Sequence, residues 1–306
     1  MKKILVTGGS GMVGRNLLSH KESEKFDIIA PSHGVLDLTI KRDVDEYLAD
    51  EMPDFIIHCA GLVGGIQANL KYPLEFLMEN LDMGCNLLMS ARKVGIKNVL
   101  ALGSNCMYPK NIEEGLTEEM ILKGELEESN EGYALAKITI SKLCKIISNE
   151  NKDYNYKMIV PCSLYGKWDK FSPESSHLIP AIIKKLNDAR VNNEVNVEIW
   201  GDGLARREIM YAEDLADFIY FSLDRFNELP EIMNVGLGKD YSINELYSAV
   251  AKVVGYKGGF FHNLDRPVGM RKKLLNIKQL ESFGWQSGTS LEQGLKLTND
   301  FYLSNI

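Results

Sequence analysis

No stretch of about 20 consecutive apolar residues occurs in the 306-residue chain, so no segment is expected to span a bilayer. Charge of positive sign is in deficit. The net charge of −7 at pH 7 gives no general affinity for nucleic acid. Cysteine is sparse: Cys59, Cys85, Cys106, Cys144 and Cys162 are odd in number, widely spaced and free of any Cys-x-x-Cys pair. That usage points to a reducing cytoplasm and away from a zinc site. The five histidines show no ligand spacing either, so no metal is expected. Internal repeats and low-complexity tracts are absent. The N-terminus resembles a signal peptide only in its two lysines; its apolar run is three residues long and reads as a first strand.

What is present begins at that strand. Residues 3–7, Lys-Ile-Leu-Val-Thr, lead directly into Gly8-Gly-Ser-Gly-Met-Val-Gly14. A first glycine permits a tight turn, a second lets backbone amides approach a pyrophosphate, and a third lets the next helix pack close to the sheet. The plain alternative is a glycine-rich strand-turn-helix with no ligand. A second signal lies at Tyr133-Ala-Leu-Ala-Lys137, about 30 residues after a strand ending at Ser104. Residues four apart lie above one another on a helix face. There a lysine ammonium can favour the charged form of a phenol whose pKa is normally about 10. Such a tyrosine donates and accepts a proton near neutral pH, and the serine hydroxyl can bind the same substrate oxygen. Alone, Tyr-x-x-x-Lys arises often by chance; the glycine loop gives it weight.

Apolar runs at 3–7, 26–30, 54–60, 97–103 and 156–161 alternate with amphipathic stretches near 12–20, 41–50, 73–94 and 131–150. That alternation predicts a parallel sheet covered by helices. After Tyr165-Gly166 the pattern turns irregular through residues 167–177, followed by a helix at about 178–191 and a strand at 195–200. The expected fold is α/β: a Rossmann-type doubly wound parallel sheet with a smaller α/β substrate-binding domain at the carboxyl ends of its strands. Residues 1–165 and about 206–230 are assigned to the NAD(P)-binding domain. About 166–205 and 231–306 are assigned to the substrate domain. Basic clusters at Lys184-Lys185, Arg206-Arg207 and Arg271-Lys272-Lys273 can receive a diphosphate, although solvated surface explains most such doublets. Apolar positions Leu74, Leu77, Met78, Leu81, Leu88 and Ala91, with Ile138, Ser141, Lys142 and Cys144 to a lesser degree, recur at helical spacing. They suit either core packing or a homodimer face.

The loop form Gly-x-x-Gly-x-x-Gly, with Ser104, Tyr133 and Lys137, resembles the extended short-chain dehydrogenases/reductases. A closer resemblance covers nearly the whole chain. Val63-Gly-Gly-Ile-Gln-Ala-Asn69 with Tyr72-Pro73, Leu102-Gly-Ser-Asn-Cys-Met-Tyr-Pro109, Asn130-Glu-Gly-Tyr-Ala-Leu-Ala-Lys137, Ser176-His-Leu-Ile-Pro-Ala181, Trp200-Gly-Asp-Gly203, Arg207-Glu208, Val253-Val-Gly-Tyr-Lys-Gly258 and Lys273-Leu-Leu275 are similar to the GDP-L-fucose synthase family. That family epimerises carbons 3 and 5 of GDP-4-keto-6-deoxy-D-mannose and reduces carbon 4 with NADPH, in nucleotide-sugar biosynthesis for surface polysaccharide.

The resemblance implies a role for each residue. Cys106 is the base and His177 the acid of epimerisation. Each alone would more often be a structural residue. Tyr133 protonates the alkoxide, Lys137 lowers its pKa and holds the nicotinamide ribose, and Ser104 binds the oxyanion. Cofactor contacts are Gly8, Ser10, Gly11, Met12, Val13, Gly14, Ala60, Tyr133 and Lys137, with Ser32 and His33 at the second strand's end. No carboxylate follows that strand in Pro31-Ser32-His33, which favours NADP(H), with NAD(H) as the alternative. Ser163, His177, Lys185, Trp200, Arg207 and Lys273 are assigned to the GDP-linked keto sugar; Trp200 has core packing as its alternative. Several positions depart from the family pattern. Asn105 stands where serine or threonine is usual, Ser163 where an asparagine lies beside the sugar, Lys167-Trp168 at the mouth, and Leu62 before Val-Gly-Gly. They permit a related sugar, such as a GDP-4-keto-heptose, handled by a carbon-4 reductase that no longer epimerises. A third possibility, an NAD(P)-sensing binding protein without catalysis, fits poorly with retention of both Tyr133 and Lys137.

Overall fold

Segments such as Ile4-Leu5-Val6, Phe55-Ile56-Ile57 and Val99-Leu100-Ala101 are apolar at every position, the mark of strands covered on both faces. In the computed structural model, which describes residues 1–172, 176–266 and 269–305, they are the centre of one parallel sheet. Its strands are β1 (Lys3–Thr7), β2 (Asp27–Ile29), β3 (Phe55–His58), β4 (Asn98–Leu102), β5 (Asn155–Pro161) and a sixth at Ile232–Val235, in the order β2-β1-β3-β4-β5-sixth. The registers set Ile4 beside Phe55 and Ile28, and Leu100 beside Ile57 and Lys157.

Helices α1 (Met12–Ser19), α2 (Lys41–Glu51), α3 (Ile66–Lys71), α4 (Pro73–Val94) and α5 (Glu131–Glu150) connect these strands. Right-handed crossovers carry α1 to one face and α2, α4 and α5 to the other. There α4 packs on α2 and α5, while α1 packs on α7 (Ala212–Leu223). Pro73 opens α4, at the one place in a helix where a missing N–H costs nothing. The chain runs outward from β1 to β2 and then inward past β1 to β3, so the order reverses between β1 and β3. That reversal opens a crevice at their carboxyl ends.

A second, smaller core gathers Ile183 and Leu186 of α6 (Leu178–Val191), Leu246 and Val250 of α8 (Ile243–Val254), and Leu295 of the last helix, Leu291–Ser304. A parallel strand pair, Asn196–Trp200 with Gly259–Asn263, covers it. Two segments expected in this unit pack with the first core: the sixth strand, which pairs with β5, and Leu275, Leu280, Phe283 and Trp285. The irregular stretch 167–177 is described except for 173–175. The expected helical stripe divides. Leu88, Ala91, Ile138 and Cys144 are buried because α4 and α5 pack on each other, while Leu74 and Met78 stay exposed.

Candidate active site

The glycine loop closes the crevice end of β1. Gly8 has φ of 71°, a left-handed conformation costly for any residue with a Cβ. A Cβ there would lie 2.7 Å from the Ala60 Cα, and one on Gly14 would lie 2.3 Å from the Gly8 carbonyl oxygen. β1, the start of α1 and the end of β3 therefore meet at backbone distance. The N-terminus of α1 has no side-chain cap, leaving its first amides for an anionic group. This cradle fits a dinucleotide pyrophosphate.

Gly8, Ser10, Gly11, Met12, Val13, Gly14 and Ala60 all line a cleft of about 1020 Å³. Ser32 and His33 do not. Both are exposed beyond β2, and His33 Nε2 lies 3.7 Å from Asp37 Oδ2. No carboxylate stands at Pro31-Ser32-His33 itself; the acid nearest in sequence after the strand, Asp37, comes eight residues past Ile29 and accepts from Thr39. A cation passed over in the sequence sits nearer the loop: Arg15 Nε donates to the Ser10 carbonyl at 3.0 Å.

At the centre of the same cleft, β4 delivers Ser104 and a single helical turn delivers Cys106. Ser104 Oγ accepts the Cys106 amide at 3.2 Å, which fixes the turn. Tyr133 and Lys137 stand one turn apart on α5, and the Phe76 ring meets the Tyr133 ring edge-on at 6.4 Å. Lys137 is buried, with Nζ 3.6 Å from where a Gly61 Cβ would stand.

The electrostatics depart from the sequence-based expectation. Burial, with the neighbouring Cys106 adding to it, pushes the Tyr133 phenol above its ordinary value; the Ser104 hydroxyl opposes them. Burial also pulls the Lys137 ammonium down to about 8, with Cys59 opposing, and that lysine is not among the groups that move the phenol. Behind it, His58 Nδ1 meets Thr7 Oγ1 at 2.8 Å. Burial and then the Lys137 charge press that imidazole to about 3, so it is neutral. Tyr133 is consequently a proton-loaded donor, and Lys137 is the group that titrates near working pH.

The remaining assigned residues, Ser163, His177, Lys185, Trp200, Arg207 and Lys273, also line this cleft. His177 precedes α6, its Nδ1 buried without a hydrogen-bond partner among the described residues. Asp169, unmarked in the sequence, faces it: burial raises that carboxyl and the His177 charge opposes the rise. Asn105 Nδ2 donates to Ser163 Oγ at 3.4 Å, so the two exchanged positions touch. Lys185 donates to the Glu198 carbonyl at 2.5 Å, and Trp200 Nε1 donates to Glu198 Oε2 at 3.1 Å. The Trp200 ring is part-exposed at the rim, with the Arg266 guanidinium 5.2 Å from its centroid; it is not core. Cys106 Sγ receives the Asn130 amide at 3.2 Å and Lys273 Nζ at 3.7 Å. Asn105 and Asn130 lie within the family-like motifs, but nothing in the sequence assigned either of them, or Asp169, a contact in the site. Among the described residues no group of three or more His, Cys, Asp or Glu could hold a metal ion.

Comparison with known proteins matches residues 4–236 to the NAD dependent epimerase/dehydratase family. GDP-L-colitose synthase of Yersinia pseudotuberculosis is 52% identical over 302 residues, covering 99% of this chain and 98% of that protein. GDP-L-fucose synthase of Azorhizobium caulinodans is 46% identical over 303 residues, covering 99% and 97%. Among solved structures, the GDP-mannoheptose C4 reductase from Campylobacter jejuni with NADP bound superposes with a TM-score of 0.89 at 27% identity. That match covers 99% of this chain and 98% of the reductase.

Proposed function

Because the chain belongs to the NAD dependent epimerase/dehydratase family, and within it to the GDP-L-fucose synthase family, we propose that its cleft inverts carbons 3 and 5 of a GDP-4-keto-6-deoxy sugar and then reduces carbon 4. The protein is an NADP-dependent oxidoreductase of GDP-sugar biosynthesis. One observation carries the site assignment: Ser104, Cys106, Tyr133, Lys137 and His177 share a cleft with the glycine cradle and with Lys185 and Arg207.

A ketone at carbon 4 acidifies the hydrogens on carbons 3 and 5, since the carbanion is delocalised as an enolate. Cys106 removes such a proton and His177 returns one on the other face of the ring. Gly8, Gly11, Met12, Val13, Gly14 and Ala60 hold the cofactor's pyrophosphate end and Lys137 its ribose. Bound there, the nicotinamide supplies the hydride for carbon 4. Tyr133 gives its proton to the oxygen on that carbon while Ser104 donates a hydrogen bond to it. Arg207 meets the diphosphate, Lys185 and Lys273 lie near the GDP, and Trp200 meets the guanine.

A second reading, a carbon-4 reductase without epimerisation acting on a GDP-4-keto-heptose, is favoured by the Asn105–Ser163 contact, which reverses the family's arrangement beside the sugar. Incubation with GDP-4-keto-6-deoxymannose in deuterated water, without reduced cofactor, separates the two. Epimerisation requires deuterium at carbon 3, carbon 5 or both, lost in Cys106→Ser. No incorporation from either this sugar or a GDP-4-keto-heptose, followed by reduction once NADPH is added, would leave the reductase alone. The same reading makes the enzyme a cytoplasmic homodimer. Its five cysteines are free, and Leu74 and Met78 on α4, with Leu135 and Ile146 on α5, present apolar surface to solvent.

A further inference from the structure

Asparagine at a helix N-cap ordinarily turns its side chain onto the helix's own second or third amide, a contact worth about 1 kcal/mol. Asn130 occupies that position before α5 and makes no such bond. Its amide instead donates to Cys106 Sγ at 3.2 Å. On the same sulfur converges Lys273 Nζ, 3.7 Å away. Lys273 comes from far along the chain: it lies on the two-residue strand Lys272–Lys273, which runs parallel to Arg206–Arg207. That pairing brings it beside Arg207, whose guanidinium burial pulls below its ordinary value, with Glu127 and then Cys106 opposing. Lys185, in contrast, spends its ammonium on the Glu198 carbonyl and carboxylate.

We propose that Lys273 and Asn130 form a thiolate cradle that keeps Cys106 ionised and aimed as the base of epimerisation, so that Lys273 serves the reaction centre before it serves the GDP. This rests on Cys106 being that base. The ammonium keeps its three protons throughout; the sulfur alone takes the sugar proton and gives it up. Asn130 and Lys273 are positioning residues acting through the thiol, and their loss weakens the thiolate without removing it.

Alkylation of the whole enzyme by iodoacetamide, without sugar or cofactor and resolved by peptide mass spectrometry, reads the thiolate directly. Lys273→Met should slow modification of Cys106 about tenfold, and Lys273→Arg should recover it to within about threefold. Asn130→Ala, which leaves that strand untouched, should slow it about threefold and serves if Lys273→Met does not fold. Unchanged alkylation in Lys273→Met, or in Asn130→Ala where that variant stands in, overturns the cradle. That holds even if the affinity for GDP falls, since Lys273 would then be a nucleotide ligand only. Solvent exchange in Cys106→Ser keeps the two claims apart. Full exchange in that variant defeats the base assignment, whereas lost exchange with unchanged Lys273→Met alkylation defeats the cradle alone.

Discussion

Replacing Tyr133 by Phe removes a hydroxyl and keeps a ring. The edge contact with Phe76 at 6.4 Å survives, and the deleted oxygen loses the Ser104 hydroxyl as a partner, so the fold should lose about 1 kcal/mol or less. The chemical cost is larger. Burial keeps this phenol protonated, making it the donor for the oxygen on carbon 4, and a positioned general acid contributes about 10²- to 10⁴-fold. A hundredfold loss corresponds to about 2.7 kcal/mol of barrier. The reduction rate, followed by NADPH absorbance on a GDP-4-keto sugar, should therefore fall at least about a hundredfold. The NADPH dissociation constant and deuterium exchange beside the ketone should remain near wild type, because the cradle, Cys106 and His177 are untouched. A reduction rate within about threefold of wild type would refute the donor assignment; a parallel collapse of exchange would show damage to the site instead.

Lys137 sets a pH limit: its ammonium, pulled to about 8 by burial, is charged below that value and neutral above it. Reduction at saturating substrate should hold steady near neutrality and decline above about pH 8, and a rate still climbing at pH 10 would exclude this lysine as the titrating group. Gly14→Ala drives a Cβ to 2.3 Å from the Gly8 oxygen, a backbone clash expected to cost about 1–3 kcal/mol and most of the NADPH affinity. Calorimetry and a thermal melt check it against Gly34→Ala, which meets nothing within 4 Å; equal behaviour of the two variants contradicts the cradle geometry. Light scattering should give twice 34.4 kDa for the wild type and the monomer mass for a Leu74→Lys, Met78→Lys double variant, and a wild-type monomer at micromolar concentration would reject the dimer.

How far these residues could be read from the chain follows from the range of the forces that place them. β1, the glycine loop and α1 are encoded within the 17 consecutive positions from Lys3 to Ser19, so steric rules for a tight turn suffice to read them. The long helices were legible for a similar reason: the periods near 73–94 and 131–150 match α4 and α5 to the residue. The sixth strand escaped, since Ile232–Val235 is four residues long and a short apolar run does not distinguish strand from buried helix. Ser32 and His33 lie exposed outside the cleft, and no local pattern dictates the loop by which Asp37 turns back on His33.

Charge environments were the least legible feature. The helical spacing placed Lys137 beside Tyr133, yet the sign of the pKa shift depended on burial, which is a property of the whole fold. β1, β3 and α5 together bury Lys137 with His58 and Cys59, and the same burial that pulls the lysine down pushes the Tyr133 phenol up. Residues 106 and 273 lie 167 positions apart, and nothing short of the strand pairing at Arg206–Arg207 brings the ammonium to the sulfur. Sequence spacing therefore identifies which groups can react in this cleft. The packing between the two cores decides which of them carry charge when they do.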